Sequence, residues 1–165
     1  MANRTAWTAG NGAGLTWTSG FGAADLTSLP SGDVVLSSGA AIANGANLDM
    51  FADASVEITI ASSTPSAGAY IALWIAPLQE DGTTYGDGQL TAGVQAAYTP
   101  PWAPAAIIPI ESGTALTKMM GSVSAILLPP RNFLWILGNF TGLTFSGTAG
   151  NNVMKFITEN VNLNN

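Results

Sequence analysis

Apolar positions alternate with polar ones in one part of the chain and run unbroken in two others. In ASVEITIAS (54–62), Val56, Ile58 and Ile60 alternate with Glu57 and Thr59. A period of two predicts a strand with one face buried and the other turned to solvent. AYIALWIAPL (69–78) and NFLWILGNF (132–140) are apolar at successive positions, which predicts strands covered on both faces. DVVLSS (33–38) and GVQAAY (93–98) read as short strands, and NNVMKFITENVN (151–162) as a final strand with neither side cleanly apolar. ALTKMMGSVSAILLPP (115–130) is the nearest approach to a helix. Gly121 and a β-branched flank weaken that reading, and 123–128 reads as a strand.

Turn residues punctuate these segments. TPSAG (64–68), QEDGTTYGDG (79–88) and TGLTFSG (141–147, with a short strand) separate the runs, DLTSLPSGD (25–33) reads as a short turn or one loop of helix, and Asn44-Gly45 leads into the alternating strand. TPPWAPAAIIPI (99–110) carries four prolines and so predicts neither a helix nor a central strand. In LLPPRNFLWILGNFTG (127–142) the proline pair ends one strand, Arg131-Asn132 turns the chain, and Phe133 to Leu137 enter the core, which reads as a hairpin of the core. Short strands at regular spacing predict an all-β fold, an antiparallel β-sandwich of jelly-roll-like type.

The first 22 residues differ from the rest. AWTAGNG (6–12) is echoed by TWTSGFG (16–22), with Asn11-Gly12 between Trp7 and Trp17. Asn-Gly is a strong hairpin signal. This extended Gly- and Trp-rich arm (1–22) either folds as a small hairpin or stays extended until it meets a partner, and 23–165 forms a single sandwich domain. Its tryptophans either anchor a neighbour or pack on the core.

Composition sharpens the picture. Only 8% of the 165 residues are charged, against about 25% in typical soluble domains. Much of such a surface is expected to be covered by other subunits. The net charge is -6, and the four cations, Arg4, Lys118, Arg131 and Lys155, form no run. Nucleic-acid binding needs clustered cations, so neither nucleic acid nor an anionic membrane surface is an expected partner. The apolar runs fall far short of the roughly 20 residues that span a bilayer.

The chain has no Cys and no His, which removes disulfides, thiolate zinc sites and the usual nucleophilic triads. The acidic loop 80–88 lacks EF-hand spacing and reads as an Asp-Gly turn. Asp49, Asp53, Glu57, Asp81, Asp87 and Glu111 could supply a carboxylate pair for glycoside cleavage, yet no spacing singles out a pair. GNGAG (10–14) lacks the strand, the helix and the GK[ST] of a phosphate loop. No catalytic residue, metal or cofactor is expected. Trp74 and Trp135 sit inside apolar strands and read as core. Trp102 sits among prolines and is the better surface candidate. Trp7, Trp17, Trp102, Pro104 and Ile107 are the expected interface residues, because their segments cannot lie inside a sheet.

LPPRNFLWILGNFTG followed by GNNVMKFITENVN resembles the closing strands of small β-sandwich proteins encoded in tailed-phage head modules. ANGANLDMFADASVEITI, SAGAYIALWIAPLQEDGTTYGDG and AAIIPI look like the earlier strands of that pattern, so the resemblance runs from about residue 38 to the end. The arm departs from the pattern. The resemblance implies a capsid decoration (cement) protein: a homo-oligomer, often a trimer, bound to the major capsid protein on the outer capsid surface of a virion. A head-fibre or tail-fibre-like module, or a carbohydrate-binding domain, recognising host glycans is the alternative.

Overall fold

The computed structural model describes residues 4–9, 16–86, 93–95 and 98–164. These form two antiparallel sheets packed face to face. The first holds β1 (Arg4–Ala9), β2 (Thr18–Ser19), β4 (Phe51–Ser63), β8 (Leu116–Leu127) and β10 (Asn152–Asn164). The second holds β3 (Val34–Leu36), β5 (Tyr70–Pro77), β6 (Gly93–Gln95), β7 (Ala106–Pro109) and β9 (Phe133–Phe140). Among the described residues the one α-helical element is α1 (Asn44–Asn47), where Asn44-Gly45 opens a single turn.

The pairing is nested. β1 and β2 pair with β10, β3 with β9, β4 with β8, and β5 with β7. β10 also pairs with β4, and β9 with β5, which completes the two sheets, and β6 extends the second beyond β3.

β4 carries the alternation in full. Ala52, Ala54, Val56, Ile58 and Ile60 are buried between the sheets, and Asp53, Ser55, Glu57 and Thr59 point outward. Phe133, Trp135, Leu137, Ile71, Leu73 and Met154 meet β4 in this main core. Phe133 and Trp135 pack edge to face at 5.5 Å, an arrangement that adds about 0.5–1.5 kcal/mol beyond area burial.

The unbroken runs are buried on both sides, and by the chain itself. Leu134, Ile136, Ala72, Trp74, Val34 and Leu36 face away from the main core and form a second one. Tyr85, Tyr98 and Trp102, from the chain between β5 and β7, pack against them on the outer face of the second sheet. Phe140 stacks on Tyr70 at 4.9 Å and meets Trp74 edge-on at 6.4 Å.

Several expectations are corrected. Residues 116–122 belong to β8 as strand: Met119 is buried and Gly121 lies under Ile108, whose Cγ2 leaves no room for a Cβ. The two arm strands pair with β10 and not with each other, so Trp7 and Trp17 do not sit on the two legs of a hairpin. Asn11-Gly12 lies outside the described residues, as does the Trp7 side chain. β8 and β9 lie in different sheets, so Leu127 to Gly142 is a crossover rather than a hairpin. Residues 143–147 form bends with no strand. β10 turns Met154 and Phe156 into the main core, with Asn152 on the same side and Ile157 buried on the other, so neither of its sides is cleanly apolar.

Buried amides fix the loops where charge is scarce. Asn139 donates to the Leu29 and Leu143 carbonyls at 2.9 and 2.7 Å and accepts from the Thr141 N–H and Oγ1. Asn44 bonds Asp49 and Pro129, and Asn152 bonds Leu26, Ser146 and Thr59. Each is a neutral group with donors and an acceptor used in place, which avoids the desolvation cost of a buried charge. Asn139, in a glycosylation-type sequence, is fully buried and is no acceptor site.

Candidate functional site

The two proline-bearing segments converge. β5 and β8 belong to opposite sheets, and residues from both line a groove of about 510 Å³. Ile75 and Pro77 of β5 form one wall, and Trp102, Ala103 and Ala105 from the loop ahead of β7 form another. Leu127, Leu128, Pro129 and Pro130, where β8 ends, form the third. Few polar side chains line it; Gln79 does, and it donates to the Gly86 carbonyl.

The prolines explain this shape. They withhold ladder donors, so neither segment can extend a sheet here. Leu127 is left 70% exposed. Close by in the fold, β7 and β8 are the outermost strands of their sheets, and β7 shows Ile107 (54% exposed) and β8 Met120 (67%).

The expected interface residues divide. Trp102 and Pro104 are half-buried. Trp102 serves the second core as well as the groove, since its carbonyl accepts from the Trp74 indole N–H at 3.0 Å. Ile107 projects from β7, and Trp17 lies elsewhere, on the outer face of the first sheet. The sequence reading missed Leu127, Pro129 and Pro130 as surface, having placed their stretch in the core. The available signal was an apolar residue directly ahead of a proline pair, where a strand must end.

The carboxylates are engaged by their own loops and strands. Asp81 accepts from the Thr83 and Thr84 N–H groups and from Thr84 Oγ1. The Thr84 hydroxyl is the largest cause that lowers its pKa to about 2. Asp49 accepts from Asn160, Asp53 from the Ala125 N–H, and Glu57 pairs with Lys118. Asp87 lies outside the described residues, and Glu111 is exposed. Desolvation, and then the neighbouring Asp53, raise the pKa of Glu159, a residue the sequence reading did not single out. Among the described residues, no three His, Cys, Asp or Glu side chains converge as metal ligands, and no helix is long and apolar enough to cross a membrane.

No protein-family model matches the chain, and no curated protein or solved structure matches it significantly.

Proposed function

We propose that the chain is a non-enzymatic structural protein of a virion, which self-associates and decorates the outer surface of a phage capsid. The observation that carries this reading is the apolar groove lined by Trp102 and Leu127, together with the exposed Ile107 and Met120 on the edge strands β7 and β8. A low-charge chain that leaves these residues uncovered suits an interface better than a free surface. The occupant we assign is a second copy of the chain, with the major capsid protein beneath the oligomer. Repetition on a shell turns modest contacts into firm attachment.

The nested pairing supports a jelly-roll reading of the sandwich. With β1 and β2 counted as one broken strand and β6 set aside, eight strands run in two sheets, first beside last and second beside seventh. That is the order expected of a jelly roll, a fold common in viral capsid proteins.

The test is light scattering on the purified protein, with Leu127→Asp and Ile107→Asp beside it. An oligomer, of trimer mass in the reading taken from the resemblance, is expected for the natural chain. The double substitution is expected to yield folded monomer by circular dichroism. Co-sedimentation with capsids purified from particles made without this chain tests the second contact. A natural chain that is monomeric at micromolar concentration and leaves such capsids bare overturns the proposal.

A further inference from the structure

The outer face of the first sheet holds a second concavity, of about 280 Å³, and it shares no residue with the groove. Trp17 forms one side, 47% exposed. Ser55 and Glu57 of β4 and Val153 and Lys155 of β10 form the floor. Strand register fixes these four: Lys155 lies opposite Ser55, and Val153 opposite Glu57. Trp17 precedes β2, whose Ser19 pairs with Lys155 and Thr18 with Phe156, so the indole is carried to the same spot.

We propose that this is a saccharide-binding site. An indole left half-exposed beside fixed polar groups is the combination that a pyranose ring uses. The C–H face of the sugar packs on the apolar ring, while hydroxyls meet a donor ammonium (Lys155), an acceptor carboxylate (Glu57) and a hydroxyl (Ser55). Lys118 holds Glu57 from its other neighbour strand, which keeps the acceptor in place. Rigid strands preorganise all of these groups. The volume falls just below the roughly 300–1,000 Å³ of sites for drug-sized ligands, which suits a single ring of a longer glycan. The chain is net negative, so the ligand class is a neutral hexose or N-acetylhexosamine rather than an acidic sugar. Single-ring contacts are weak, and an oligomer would add them together.

The experiment is saturation-transfer NMR on the full chain with glucose, galactose, mannose, N-acetylglucosamine and short oligomers of each. Transfer to ring C–H protons is expected for at least one. Trp17→Ala is expected to weaken binding about tenfold or more, as removal of a principal apolar contact does. Trp17→Phe is expected to retain part of it and Lys155→Ala to lose several-fold. Unchanged melting curves would show that the variants are folded. The Leu127→Asp, Ile107→Asp monomer is expected to keep the single-site signal, so failure here and failure of the oligomer are separable. No transfer from any sugar of the panel, or transfer undiminished in Trp17→Ala, overturns the site.

Discussion

The two outer faces of the sandwich solve opposite problems. The face made by β4, β8 and β10 is bare, with Asp53, Glu57, Lys118, Lys155 and Glu159 set among serines. The face made by β3, β5 and β9 is apolar, and Tyr85, Tyr98 and Trp102 pack over it. A chain with only 14 charged residues sets five of them on one face and withdraws the other from water. The difference shows why the runs at 69–78 and 132–140 are unbroken. Both sides of those strands are core, one shared with the opposite sheet and one with the chain's own connection.

That contrast is open to direct attack. Removing an aromatic from the sealed face should resemble a core deletion. Trp74→Ala is expected to cost about 3–5 kcal/mol, a fall of roughly 10 °C or more in melting temperature for a chain of this size. It also orphans the Trp102 carbonyl, which now accepts from the indole. Trp17→Ala on the bare face is expected to stay within about 0.5 kcal/mol, as surface substitutions do. Chemical denaturation of the two variants side by side checks the pair. Equal losses would dissolve the distinction between the faces.

The next test concerns how the sealed sheet ends. Asn139 serves the Leu29 and Leu143 carbonyls and Thr141 at the exit of β9. Asn139→Ala is expected to cost about 3 kcal/mol, since each buried group left without a partner costs about 1–3 kcal/mol. Amide exchange should then quicken around residues 139–143 before it does in β4. A smaller loss is expected at Gly138. A Cβ there would stand 2.7 Å from the Phe140 ring and 2.9 Å from that of Trp74. Gly138→Ala should cost about 1–3 kcal/mol through overpacking, seen as a melting shift and a changed Trp74 environment in near-ultraviolet circular dichroism.

How much of this was legible in the sequence follows from which forces are local. The alternation in β4 and the double-sided burial of β5 and β9 are properties of a few consecutive residues. Val56, Ile58, Trp74 and Trp135 could therefore be assigned as core from pattern alone. β8 could not, because LTKMMGSVSAIL has a mixed period and its strand character comes from lying beside β4. What covers β9 was also hidden. An apolar run says that a face is covered, and that Tyr85, Tyr98 and Trp102 cover it is a tertiary fact. The groove escaped for the same reason. Trp102 and Pro129 lie 27 positions apart, and only the packing of the two sheets brings them to one groove. Trp17 was legible as a surface aromatic, but its neighbours Ser55 and Lys155 come from a register that no local pattern reveals.

The smallest expected effect sits on the bare face and has a definite sign. Burial against β4 and β8 and the nearby Asp53 carboxylate push the Glu159 pKa up. Asp53 is fixed there because it caps the Ala125 N–H at 2.9 Å, at a bulge where Ala125 takes φ +59. A carboxyl whose folded pKa lies above its unfolded one supports the fold most below its ordinary value of 4.5. That support is lost as pH rises through the higher folded value, because the ionised form is repelled by Asp53 and poorly hydrated. Glu159→Gln removes the charge and keeps the shape. It is therefore expected to raise the melting temperature slightly at pH 7, with the gain shrinking to nothing below about pH 4. Melting curves of both chains from pH 3 to pH 8 measure this difference. A gain that persists at pH 3 would mean that the effect is not one of charge, and a loss at pH 7 would mean that the carboxylate is held by a favourable partner and that the bare face is more tightly organised than the exposed strands and open concavities imply.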